Sequence, residues 1–130
     1  MYNPDWPSDI YVSINGVELG VWTCPGDFGG RRGLFGPASW PTSSTQFGHL
    51  KTWAVSQTGS TLDEAPLSNV TIDQLNLHRG NFFTLRIGVH PDAKNVGGMN
   101  LFGAKFGDHP QDILLQLDLI KKKTNPPANE

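Results

Sequence analysis

Ile10-Tyr11-Val12-Ser13-Ile14-Asn15-Gly16-Val17-Glu18-Leu19-Gly20-Val21-Trp22 is the stretch that decides the fold. Two runs rich in β-branched and aromatic residues flank Asn15-Gly16, the pair best suited to the two positive φ angles of a type I′ turn. A two-residue turn fixes the register. Ile14 is therefore expected opposite Val17, Val12 opposite Leu19, and Ile10 opposite Val21, six side chains on one face that form a candidate core. The other face takes Ser13 with Glu18, Tyr11 with Gly20, and Asp9 with Trp22. That mixed face suits either solvent or a ligand.

Trp22 leads into a long loop that reaches Pro41. It is too rich in Gly and Pro for a helix or a strand interior, and too rich in large aromatic residues for a linker. Residues 43–57 read as an extended element in which Trp53 and Val55 alternate with smaller or polar neighbours. Gly59 to Pro66 reads as a turn. Thr71-Ile72-Asp73-Gln74 has the form of a capping box, so at most one short helix is expected there. Phe83, Leu85, Ile87 and Val89 alternate with Phe82, Thr84, Arg86 and Gly88, the pattern of a strand. His90 to Asn95 is a turn around Pro91 and Asp92. Met99 to Phe102 and Ile113 to Ile120 are the last expected strands.

Many short strands and almost no helix predict an all-β chain: an antiparallel β-sandwich, jelly-roll-like, over residues 1–120. Residues 121–130 read as a disordered polar tail. The first strand falls within the opening ten residues, with no pairing strand before it. An open sheet edge of that kind invites a second copy, so a homodimer is expected.

The chain has 130 residues and a net charge of −2, with a sequence pI near 6.0. Its basic clusters are Arg31-Arg32 and Lys121-Lys122-Lys123, too few for this segment itself to grip nucleic acid. One cysteine, Cys24, excludes an internal disulfide and fits a reducing, cytoplasmic setting. The opening residues lack the basic and apolar regions of a signal peptide, and no stretch approaches the ~20 apolar residues of a membrane span.

No catalytic set emerges, and no enzyme is expected. No Ser sits in a Gly-x-Ser-x-Gly elbow, and Cys24 reads as an inert thiol. His49, His78, His90 and His109 lack metal-ligand spacing and read as ordinary surface or hydrogen-bonded histidines, so neither a metal nor another cofactor is expected. What remains is a polar and aromatic set: Trp22, Asp27, Arg31, Arg32 and Trp40 in or beside the loop, with Arg86 and Asn100 on strand faces turned from the core. Two readings stand. Either Asp27 pairs with an arginine and the tryptophans seal the end of the sandwich, or these groups bind a small polar ligand such as a sugar. Gln46 and Lys51 suit both.

Several strings carry a resemblance: Trp6-Pro7-Ser8-Asp9-Ile10, Ile14 to Gly20, Pro25-Gly26-Asp27-Phe28-Gly29-Gly30, Arg86-Ile87-Gly88-Val89, and Val96 to Gly103. Together they resemble the carboxy-terminal domain of a family of bacterial ArsR-type winged-helix transcriptional regulators. The resemblance implies an effector or dimerisation domain, with DNA contacted through a preceding winged helix. It implies no metal effector here, because the Cys or His clusters of the metal-sensing regulators are missing. A purely structural dimerisation module and a free-standing carbohydrate-binding module are the competing readings.

Overall fold

The computed structural model describes residues 6–26, 28, 30–41, 44–78, 80 and 82–118. Asp27 and the tail at 121–130 lie outside the described residues. The architecture is all-β. Strands β1 (Ser8–Ile14), β2 (Val17–Cys24) and β6 (Leu85–Val89) form one antiparallel sheet in the order β2-β1-β6. Strands β3 (Trp53–Val55), β4 (Ser60–Leu62) and β5 (Ala65–Ser68) form a second, in chain order. One 3-10 turn, Ile72–Leu75, follows, and Thr71 and Gln74 close the expected capping box, with the Thr71 amide donating to Gln74 Oε1 at 2.8 Å.

Asn15 and Gly16 have φ of 50° and 80°, as a type I′ turn requires. Asn15 does more than turn the chain. Its Nδ2 donates to the Leu75 carbonyl at 2.7 Å, and its Oδ1 accepts the Thr84 amide at 2.9 Å. One side chain thus ties the hairpin to the 3-10 turn and to the approach of β6.

The hairpin register departs from the simple pairing after two steps. Ile14 faces Val17 and Ser13 faces Glu18, but a bulge then places Val12 opposite Gly20, Tyr11 opposite Val21 and Ile10 opposite Trp22. Leu19 is the additional residue, and Gly20 beside it holds φ at 150°. A bulge costs one residue of register, and one residue turns every later side chain to the other face. Val21 therefore leaves the core and Trp22 joins the face of Ile10, the reverse of the unbulged expectation. The packing requires a glycine beside the bulge: a Cβ on Gly20 would lie 2.5 Å from Leu67 Cγ, so Leu67 occupies the place that a side chain would take.

The two sheets share a core. Val12, Ile14, Leu19 and Leu75 are buried together, with Trp53, Val55 and Leu67 of the second sheet and Leu85 and Ile87 of β6 packed against them. Arg86 pairs with Ser13 on the opposite face and is exposed, as the alternation predicts. That outer face also holds Tyr11, whose ring meets His90 edge-on at 5.8 Å, and Glu18, 3.1 Å from His90 Nε2.

Three other expectations are corrected. Gly59 to Pro66 is not a plain turn but most of the β4–β5 hairpin, turned at Asp63-Glu64 with φ of 48° and 70°. Pro66 is tolerated because β5 is an edge strand. The extended element of residues 43–57 contributes only the three residues of β3. Met99–Phe102 and residues 113–118 form no strand, so a jelly-roll count is not reached among the described residues. Hydrophobic alternation gives a segment a face, but a strand exists only through its ladder, and neither sheet pairs with these two.

Candidate functional site

The buried residues Val12, Ile14, Leu19 and Leu75 are themselves part of the wall of a cleft of about 1210 Å³. The apolar face of the first sheet opens into it, and Trp22, Phe47, His49, Lys51 and Asn100 also border it. The β2 bulge brings Trp22 to it. Residues 47–53 then run along it, with Phe47, His49, Lys51 and Trp53 at every second position of an extended chain.

Rings and cations interleave around Trp22. The Lys51 ammonium lies 4.7 Å from the centroid of a Trp22 ring, and the Arg31 guanidinium 3.7 Å from that of Phe47. His49 meets three rings edge-on: Phe28 at 4.8 Å, Trp22 at 5.9 Å and Phe47 at 5.9 Å. Phe28 holds a φ of 50°, unusual for a bulky residue, and its ring also meets Phe47 at 5.4 Å. Lys51 is fixed by Asp63 across the β4–β5 turn, at 2.9 Å, and the other Asp63 oxygen accepts the Thr52 amide at 2.9 Å.

The charges are legible in the titrating groups. Partial burial, with Lys51, Arg31 and His109 as neighbouring positive charges, pushes the His49 pKa below the ordinary 6.5. The hydrogen bond from Lys51, with that from the Thr52 amide, holds the Asp63 carboxyl below its ordinary 3.8. A neutral imidazole thus sits among cations.

The residues expected to bind a ligand are only partly brought together. Trp22 and Arg31 join through Phe47 and His49. Arg32 turns inward on its own loop, with Nη2 donating to the Trp40 carbonyl at 3.2 Å and Nη1 to that of Pro37 at 3.5 Å. Trp40 packs on Phe106 at 5.1 Å, beside a shallower hollow of about 370 Å³ that it shares with Asn100. Asn100 borders both cavities. Arg86 is on the far face of the first sheet and joins neither, and Asp27 lies outside the described residues. Gln46 is fully buried and structural, its Nε2 donating to the Trp40 and Pro41 carbonyls at 3.4 and 3.2 Å.

Sequence reasoning overlooked Phe28, Phe47, His49, Asp63 and His109. The alternation of Phe47, His49 and Lys51 was the available signal. A search for metal-ligand spacing passes over it, because its content is charge between rings. Among the described residues, no three His, Cys, Asp or Glu side chains are placed to hold a metal ion. No described helix is long and apolar enough to cross a membrane.

No family model, curated protein or solved structure matches this chain.

Proposed function

We propose that this chain is a non-enzymatic sensor and assembly domain of a cytoplasmic transcriptional regulator, and that it binds a small polar ligand in the cleft beside Trp22. The observation that carries the binding half is the open apolar face of the first sheet. That face, with Ile10, Val12, Ile14, Leu85 and Ile87, lines an apolar cleft whose border carries Trp22, His49 and Lys51. Few convergent polar groups on an apolar cavity are the usual makeup of a small-molecule site. Such a ligand acts on an attached winged helix only through different affinities for two states of the whole protein. The regulator assignment rests on the resemblance of the strings at residues 6–30 and 86–103 and is tested upstream of Tyr2, where a winged-helix reading frame is expected. A screen of metabolites by thermal shift and calorimetry tests the binding; a screen that is flat throughout refutes it.

The assembly half draws on the exposure of Ile113, Leu114, Leu115 and Leu117, Leu114 at 72%, the first three of which also line the cleft. Contiguous apolar exposure of this kind marks association surfaces. Light scattering over a concentration series is expected to show a dimer, and a monomer at every concentration would remove this half. The carbohydrate-module reading fares less well, because Lys51 and Arg31 each cover one face of the rings a sugar would stack on.

A further inference from the structure

We infer that the assembly surface is an exchanged strand: residues 113–118 of one copy pair with the open edge of β6 in a second copy, and the exchange is mutual. This rests on the proposed dimer and names the elements that form it. β6 is an edge strand, since its sheet runs β2-β1-β6. The His90 amide donates to the Asp9 carbonyl and the Asn15 amide to the Thr84 carbonyl, both at 2.8 Å. In the antiparallel register that sets Ile10 opposite Val89, the even-numbered residues from Thr84 to His90 therefore bond to β1. The N–H and C=O groups of Leu85, Ile87 and Val89 point the other way, along the open edge, and their side chains are only partly buried.

Residues 113–118 have what that edge lacks. Ile113, Leu115 and Leu117 alternate with Leu114, Gln116 and Asp118, and the segment joins no ladder among the described residues. In its own chain it borders the same cleft as Leu85 and Ile87, yet Ile113, Leu114, Leu115 and Leu117 stay exposed there. Antiparallel pairing with Leu117 opposite Ile87 sets Leu115 opposite Val89, apolar against apolar on one face. On the other face the same register sets Leu114 opposite His90, whose ring stands against Tyr11, and Asp118 opposite Arg86. Among the described residues, no carboxylate lies within ion-pair distance of Arg86 and no cation within that distance of Asp118. The second copy supplies both partners. Two donated strands and two open edges close on each other about a two-fold axis, so the pairing ends at a dimer rather than a fibre.

Analytical ultracentrifugation of the 130-residue chain tests the assignment. Arg86→Asp and Asp118→Arg are each expected to weaken the dimer about tenfold or more, because each change occurs twice and sets like charges opposite. The variant carrying both reverses the pair and is expected to dimerise again, which a mere loss of folding would not allow. Oxidation reads the topology. Positions 86 and 118 would form a non-hydrogen-bonded pair, whose Cα separation suits a disulfide. In a Cys24→Ser background, Arg86→Cys with Asp118→Cys is expected to run as a cross-linked dimer on a non-reducing gel. A cross-linked monomer places the strand on its own chain's β6 and overturns the exchange. A dimer that forms no cross-link and ignores both charge reversals overturns the exchange while leaving the assembly reading in place. A chain that is monomeric at every concentration overturns both.

Discussion

His49 concentrates the electrostatics of the cleft in one side chain. With Arg31, Lys51 and His109 as neighbours, its imidazole holds a proton less readily than a free histidine. Titration followed by NMR is expected to place its pKa below 6.5, and Lys51→Met is expected to raise it by removing a neighbouring cation. The linkage follows in sign. The unfolded chain binds this proton more readily, so the contribution of neutral His49 is complete above 6.5 and diminishes as pH falls toward the lowered folded value. Asp63 behaves as carboxylates usually do. Its folded pKa lies below 3.8, so its contribution is present above 3.8 and is lost as pH falls through the lowered value. Asp63→Asn is expected to flatten the acid limb of a stability–pH curve measured in urea. An unchanged acid limb would mean that Lys51 finds another partner.

At the scale of elements, the β1–β2 hairpin was the most legible feature, and it also misled. Asn15-Gly16 identified the turn, and Ile14–Val17 and Ser13–Glu18 pair as that turn dictates. Gly20 is the local sign of the bulge, an isolated glycine inside a strand pattern, but the packing that fits it there, Leu67 over Gly20, lies about fifty residues on. The same limit hid β4 and β5. Asp63 and Glu64 both adopt positive φ without being glycine or asparagine, so the hairpin lacks its usual marker. Two predictions belong here. Asn15→Gly preserves the turn and loses two side-chain hydrogen bonds, so it is expected to cost about 1 kcal/mol in urea unfolding. Asn15→Ala adds the left-handed penalty and is expected to cost about 2 kcal/mol or more. Glu64→Gly removes a left-handed penalty, and a gain of up to about 1 kcal/mol is expected by the same measurement. A loss at Glu64→Gly would mean that its side chain makes a contact worth more than the strain.

Over the whole molecule, the all-β class was legible because alternation and turn residues recur along the chain, as in Leu85 to Val89 and around Asn15-Gly16. The site was legible only in pieces. Trp22 belongs to it, Arg31 reaches it only through the Phe47 ring, Arg32 and Trp40 hold the loop instead, and Arg86 lies across the sheet. Which groups converge is a matter of register and of distant packing, and neither is carried by residue type. The one-residue bulge therefore links fold to site, since it moves Trp22 from the Asp9 face to the cleft. A two-dimensional ¹H–¹⁵N spectrum of the chain titrated with a hit of the metabolite screen tests that link most directly. Shifts at the Trp22 indole N–H and at the Phe47, His49 and Lys51 amides are predicted, with Tyr11, Val21 and Arg86 unmoved. Shifts centred on Tyr11, Val21 and Arg86, with the Trp22 indole unmoved, would contradict it.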